Sequence, residues 1–400
     1  MTTTPPAERD WSRDFDHTDP AYAERAPDIW DELRSVCPVA HSNRFGGTWL
    51  PTRHEDVAAI AYDTEHFSSC GVIVAPMEPP LDLAPAGYAP PITSDPPFHD
   101  QARRLLLPAF APKPIAALEP TTTELCRRLL DEIEADATDT IDAVERYTRH
   151  IPVQVIAAML GVPASDGDRF RVFIHRILER PGQAGPVEPE DTLGHYVGAM
   201  IAAHREHPRD DLIGFLIDAE IDGEPLSDDH IGGTVALLLL AGIDTTWSAI
   251  GSALWHLATH PDDRRRLVAE PELLPTAIEE FLRSYAPVTM ARVVASPVEV
   301  GGATMERGDW VLVPFPAANR DPEQFERADE VLIDRLHNRH AAFGLGIHRC
   351  LGSNLARLEL TVAVREWLAR FPEFEVADPE GVRWSTGQVR GPRSLPLKLG

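Results

Sequence analysis

The stretch Phe343-Gly344-Leu345-Gly346-Ile347-His348-Arg349-Cys350-Leu351-Gly352 decides the reading of this chain. Gly344, Gly346 and Gly352 let the backbone turn tightly and approach a flat ligand closely. Together they deliver one cysteine to the start of an apolar helical run. The thiolate is the form of cysteine that binds a metal, and a helix N-terminus stabilises that anion through its free N–H groups and dipole. A lone Gly-x-x-Cys reads as a buried free cysteine after a turn.

These ten residues match every fixed position of F-x-x-G-x-H-x-C-x-G, the haem-binding loop of the cytochrome P450 family, and on that motif the chain resembles the family. The resemblance implies heme b (iron protoporphyrin IX) with Cys350 as the metal ligand. Phe343, Gly344, His348 and Gly352 would belong to its cradle. A thiolate ligand pushes electron density onto iron and favours O–O cleavage.

A second motif lies midway along a long helical pattern. Ser227-Asp228-Asp229 offers a capping oxygen followed by carboxylates in the first turn, and Pro261 stops the pattern after His260. A rod of roughly 50 Å follows from the 1.5 Å rise per residue. At its middle stands Ala241-Gly242-Ile243-Asp244-Thr245-Thr246. A mid-helix threonine competes for the carbonyl four residues back, and Gly242 removes a side chain from the same turn, so a pocket is expected there. The sequence matches the family's [AG]-G-x-[DE]-T-[TS] over the distal haem face. By that resemblance Ala241 borders the cofactor, and Asp244 and Thr245 form a proton-delivery pair, a carboxylate relaying protons and a hydroxyl holding a water. A helix merely distorted by Gly and Thr is the alternative.

Glu280 and Arg283 stand at i and i+3 and share a helix face. Exposed, such a pair contributes a few tenths of a kcal/mol. The family's E-x-x-R implies a structural lock behind the cysteine loop, with Arg335 as third member; Glu279 is an alternative register. The segment Asp95-Pro96-Pro97-Phe98-His99-Asp100-Gln101-Ala102-Arg103 resembles the family's D-P-P-x-H-x-x-x-R. It nominates His99 and Arg103, four apart on one helix face, as haem propionate partners, with Arg292 and His348 as the others.

Composition sets limits around these motifs. The formal charge of -26 opposes binding to nucleic acid. Cys37, Cys70, Cys126 and Cys350 form no C-x-x-C pair, so no disulfide scaffold or zinc ribbon is indicated. The polar, proline-bearing Met1–Asp10 stretch shows no signal-peptide pattern. The longest largely apolar run, Ile231–Ile243, is shorter than the ~20 residues a bilayer span needs, so the expectation is a soluble, cytoplasmic protein without a membrane partner. Residues 1–26 read as a partly ordered arm and 27–400 as one domain. A helix over Pro27–Val36 precedes a proline-rich loop, Gly71–Pro97. The chain is mainly helical from His99 to Ala369, interrupted by strand-like Val293–Val313 with Gly301-Gly302 as a turn, and ends in short strands. The fold class expected is mainly α with small β-sheets, agreeing with the single cytochrome P450 domain. The glycine–proline stretch Pro181–Pro189 reads either as a lid or as a surface turn.

Positions that line the substrate pocket in the family hold Val72, Ile73, Met77, Leu237, Leu240, Val288, Met290 and Val389, an apolar wall; Val74, Leu81, Leu83 and Val294 are further candidates. A small or medium, largely apolar substrate follows. No G-x-G-x-x-G follows a strand and no ferredoxin cysteine spacing occurs, so electrons are expected from a separate protein. Arg104, Arg339, Arg349 and Arg357 around the cysteine loop would suit an acidic ferredoxin or flavodoxin. The resulting expectation is a haem-thiolate monooxygenase using O2. A peroxide-driven haem-thiolate oxygenase is the rival enzyme, disfavoured by Asp244-Thr245, and a non-catalytic haem sensor is the rival of another class.

Overall fold

The computed structural model describes residues 9–136, 138–182, 185 and 187–400. Helices dominate, and one of them organises the rest. It runs Asp228–Thr259, 32 residues, and Ser227 caps it by accepting from His230 N–H. At ~1.5 Å per residue it crosses the molecule. Its apolar composition (mean hydropathy 1.4) would suit a membrane span, yet most of that stretch is buried inside the fold. Helices His150–Leu160 and Leu193–Glu206 pack along it, and so does Ser353–Arg370, the helix that follows Cys350. Their apolar faces form the largest core cluster.

A five-stranded sheet lies to one side, in the order Val39–Ser42, Thr48–Pro51, Trp310–Pro314, Thr289–Val294, Phe67–Ser68. Only Trp310–Pro314 against Thr48–Pro51 is parallel, pairing Trp310 with Thr48; the other pairs are antiparallel. Within the strand-like Val293–Val313 region the turn at Gly301-Gly302 closes a hairpin, Val298–Val300 with Ala303–Met305. The C-terminal strands Phe374–Val376 and Pro396–Leu399 form a second sheet with Thr140–Asp142.

Two expectations need correction. The arm expected to be partly ordered over residues 1–26 is packed onto the fold from residue 9 onward. Trp11 and Phe15 are buried, the Phe15 and Trp30 rings lie 4.9 Å apart, and Phe15 O accepts from Ser42 Oγ at 3.1 Å. Apolar aromatics at i and i+4 were enough to fasten it; residues 1–8 lie outside the described part. The first helix also begins earlier, at Pro20 rather than Pro27, with Asp19 accepting from Ala21 N–H. Pro27 sits inside it and cannot bond back to the Ala23 carbonyl. Arg390 Nε fills that vacancy, donating to Ala23 O at 2.8 Å. The stretch Pro181–Pro189 includes residues 183, 184 and 186, which lie outside the described part.

The proline-rich loop is laid directly against the central helix. Thr234 Oγ1 donates to Pro90 O at 3.0 Å, and any side chain at Gly233 would collide with the Tyr88 carbonyl. Gly233 therefore sets how closely this loop roofs the space beside the helix.

Candidate active site

The cysteine loop is built by its glycines and braced from behind. Gly344 and Gly346 have φ of 72° and 67°, the left-handed region, and a Cβ on Gly346 would strike the Ala61 carbonyl. Cys350 N–H donates to Phe343 O at 2.6 Å, closing the turn. Helix Ser353–Arg370 starts just beyond it. Cys350 is exposed and lines the cavity beside the central helix. Enclosure by the surrounding fold raises its pKa, while the Gly352 N–H and the charges of Arg103, Arg349 and Arg357 pull the other way. These opposing effects favour a thiolate once a metal is bound.

Behind the loop, Glu280 and Arg283 are fully buried. Glu280 Oε2 meets Arg283 Nε at 2.8 Å and Arg335 Nε at 3.0 Å. Asn338 Nδ2 and Leu332 N–H also donate to this carboxylate. Arg283 in turn donates to the carbonyls of Asn319, Ala328 and Glu330. Both charged groups, Glu280 and Arg283, have several partners, which is what makes a buried charge tolerable. Glu279, the alternative register, has its own task. It accepts from Arg357 Nε and Nη2 at 2.6 and 2.8 Å and lies 3.1 Å from His340 Nε2. Burial pushes its pKa up, but Arg357 and His340 outweigh that and hold it near 2. Arg357 also lies over the Phe343 ring, 4.4 Å from its centroid.

Cationic and polar side chains converge beside the loop. His99, on helix Phe98–Leu106, is buried, and its ring centroid lies 4.5 Å from that of His348. His99 Nδ1 is bonded to Asp100 at 2.9 Å, while the buried Nε2 has no partner among the described residues. His348 Nε2 is 2.8 Å from Ser69 Oγ. Burial, then Arg292, His99 and Arg103, drive the His348 pKa down to about 2, so its imidazole is neutral. Arg292 is buried with only the Ala291 carbonyl as hydrogen-bond partner among the described residues, at 2.7 Å, and burial lowers its pKa to about 10 against the pull of Asp95. Arg103 donates to Arg349 O at 2.6 Å. A buried guanidinium without a counter-anion and an orphaned imidazole nitrogen fit two carboxylates of a cofactor lying on the cysteine loop.

The cavity, about 530 Å³, is lined by Cys350, Phe343, Gly344, His348, Gly352, Arg103 and Arg292 at this end, and by Ala241, Gly242 and Thr245 of the central helix. Val72, Ile73, Leu237, Leu240, Val288, Met290 and Val389 also line it. Met77 does not. It is 61 % exposed, because the loop turns outward after Val74, whose side chain is taken into the sheet-side core. Leu81 packs against that same core, Leu83 is exposed and Val294 belongs to another cluster. Tyr88, Ile92, Thr93, Ile177, Leu178, Leu193 and Gln388 are among the further residues of the wall, and no motif in the sequence points to them.

Thr245 Oγ1 donates to the Ala241 carbonyl at 2.8 Å, so its lone pairs face the cavity as acceptors. Asp244 points elsewhere. It is 0 % exposed and absent from the cavity wall. Its Oδ1 meets Arg393 Nη2 at 2.6 Å, and its Oδ2 has no partner among the described residues. Arg393 is held by Glu179 at 2.5 Å, Ser248 Oγ at 3.0 Å and the Trp247 ring. Glu179 continues to the exposed His175 at 2.7 Å. Burial raises the Asp244 pKa to about 6, Arg393 opposing and Glu179 adding to it. Arg393 is the residue that sequence reading missed, since nothing in Gly391–Ser394 signals a partner for the central helix.

The cytochrome P450 family model matches residues 188–388. The chain is 34 % identical over 378 residues to the mycinamicin IV hydroxylase/epoxidase of Micromonospora griseorubida, covering 92 % of this chain and 94 % of that one. It is 37 % identical over 360 residues to the nocardicin C N-oxygenase of Nocardia uniformis subsp. tsuyamanensis, covering 87 % and 89 %. The crystal structure of CYP109E1 from Bacillus megaterium in complex with testosterone superposes with a TM-score of 0.84 at 31 % identity, covering 96 % of this chain and all of that one. The chain belongs to the cytochrome P450 family. The P450 fold and heme b cofactor expected from the cysteine loop hold, and the protein is a haem-thiolate monooxygenase rather than a haem carrier. When bound, the haem supplies dioxygen activation. This P450's own residues bind it, shape the apolar space next to it and place an alcohol and an acid on adjacent positions of one helix.

Proposed function

We propose that this P450 inserts one oxygen atom from O2 into a neutral, small or medium, largely apolar molecule. The observation that carries the reading is the cavity wall. Its cations, Arg103 and Arg292, sit at the propionate end, while Val72, Ile73, Leu237, Leu240, Val288, Met290 and Val389 form the rest with few polar groups. A carboxylate buried there would lack a counter-charge. The testosterone named for CYP109E1 is likewise a neutral polycyclic molecule. Hydroxylation, epoxidation and N-oxygenation all appear among the relatives' names, so the family leaves the bond attacked open. In this reading Cys350 binds the iron, and His99, Arg103, Arg292 and His348 bind the propionates. Thr245 would hold a water in the cavity beside the haem, and Asp244, one residue earlier and paired with Arg393 behind the wall, would be the acid that exchanges protons with that region. Glu280, Arg283 and Arg335 hold the loop's base.

Electrons come from an acidic ferredoxin or flavodoxin in the cytoplasm. Arg104, Arg339 and Arg349 are exposed around the cysteine loop and make no ion pair among the described residues, which suits an acidic partner. Arg357 does not contribute freely, being neutralised by Glu279. A substrate-induced spin-shift screen is the test. Neutral hydrocarbon-rich compounds should shift the spectrum, and their carboxylated analogues should bind less well. A preference for carboxylates would overturn the reading.

A further inference from the structure

Gln388 departs from the apolar wall in which it stands. It is 6 % exposed, and its backbone is fully used: its N–H donates to Leu178 O at 3.0 Å and its carbonyl accepts from Thr289 N–H at 2.9 Å. Its amide nitrogen Nε2 donates to Val72 O at 2.8 Å and to Met290 Sδ at 3.2 Å. Both neighbours are acceptors, so the amide has one permitted orientation; flipping it would set oxygen against oxygen. That orientation leaves Oε1 with no donor. Among the described residues that line the cavity, Gln388 alone carries a buried side-chain polar atom without a partner.

A buried amide oxygen cut off from water is costly to leave unpaired. Val72, Met290 and Val389 around it are cavity walls and bring no side-chain donor. We propose that the substrate brings it: a neutral molecule carrying one hydroxyl or N–H group, which donates to Gln388 Oε1 while its hydrocarbon body rests on Val72, Leu240 and Val389. The broad terminal torsion of a glutamine side chain lets the amide turn slightly toward such a donor. This deepens the neutral-substrate reading and rests on it.

The test uses the haem-loaded protein and four probes on one ring skeleton, cyclododecane or adamantane: the alcohol, its methyl ether, the hydrocarbon and the carboxylate. Spin-shift titration gives each affinity. The alcohol should bind at least about tenfold more tightly than the ether, which keeps the oxygen but lacks the donor. An alcohol entering a site without an acceptor loses its water bonds for nothing, so it would bind more weakly than the ether. Equal affinity of alcohol and ether, or preference for the ether, overturns the Gln388 proposal while leaving the neutral-substrate reading intact. Preference for the carboxylate overturns both. Gln388→Met then separates contact from packing. Loss of the Val72 tie alone weakens all neutral probes alike, whereas the proposal requires the alcohol-to-ether ratio to collapse. If that variant fails to load haem, the wild-type ratio decides by itself.

Discussion

Replacing Arg393 with leucine asks how Asp244 is held, and the structure sets the size of the effect. Arg393 meets Asp244 at 2.6 Å and Glu179 at 2.5 Å, and Asp244 is wholly buried. An unpaired buried carboxylate costs about 3–5 kcal/mol. The carboxyl has a cheaper route, which is to bind a proton. Burial already raises its pKa from 3.8 to about 6 against the pull of Arg393, and loss of that cation moves it higher. A pKa raised on folding gives stability that is fully present below the unfolded value and is lost as pH rises through the folded value. In wild type the folded carboxyl ionises above about 6, and the loss stops growing there. In the variant the raised pKa lets the loss continue to higher pH. The added destabilisation from Asp244 therefore reaches at most about 0.4 kcal/mol at pH 6, about 1.4 at pH 7 and about 2.7 at pH 8, taking 1.36 kcal/mol per pKa unit. Losing the Glu179 pair adds a further offset. Urea midpoints, read from the reduced carbon monoxide spectrum at the three pH values, give the slope. Wild type, Arg393→Leu, Asp244→Asn and the double variant form the cycle, which cancels the Glu179 share. A destabilisation independent of pH, or a slope that survives in the Asp244→Asn background, refutes the reasoning.

Cys350→Ala should abolish the long-wavelength Soret band of the reduced carbon monoxide complex; a haem-loaded variant that keeps the band would refute the ligand assignment. Glu280→Ala or Arg283→Ala should yield little haem-loaded protein, since each leaves a buried partner uncompensated at about 3–5 kcal/mol, against a typical stability of about 5–15; wild-type haem content in both would show the lock to be dispensable. Thr245→Ala should bind substrate and consume reductant while releasing most reduced oxygen as hydrogen peroxide, whereas Asp244→Asn should slow total consumption and enlarge the solvent isotope effect. Product formed per reductant consumed separates the two, and wild-type values in both would mean that protons reach the site by another path.

What could be read from sequence was chemistry contained within one element. Ser227 caps the central helix three residues before His230, Thr245 bonds four residues back to Ala241, and Glu280 meets Arg283 three residues on. Local spacing alone places each of these contacts, because a helix fixes which side chains are neighbours. The cysteine loop was legible for the same reason: its glycines are demanded by positive φ and by the Ala61 carbonyl, whatever lies beyond. Met77 departs from the expected wall because belonging to the loop does not place a residue in the cavity, and a chain without periodicity does not announce where it turns outward.

The remaining features join residues far apart along the chain. Arg393 reaches Asp244 across 149 positions, and Gln388 reaches Val72 across 316. Neither carries a spacing signal, since the partner is chosen by tertiary packing. The residues that most constrain what this P450 does belong to this second group. The family's acid is recognisable in the sequence, but its charge depends on an arginine from the C-terminal sheet region, which sets whether it is a free relay or a held ion pair. The apolar wall is recognisable as well, but its one unsatisfied acceptor appears only when Val72, Met290 and Gln388 are brought together. If both assignments hold, substrate choice and proton supply are controlled from the same short C-terminal stretch, Gln388 to Arg393, one end at the cavity wall and the other at Asp244. Gln388→Met should then alter ligand preference without changing the pH slope of stability, and Arg393→Leu should change the slope while leaving the alcohol-to-ether ratio in place. Crossed effects would show that the two ends of the stretch move as one unit.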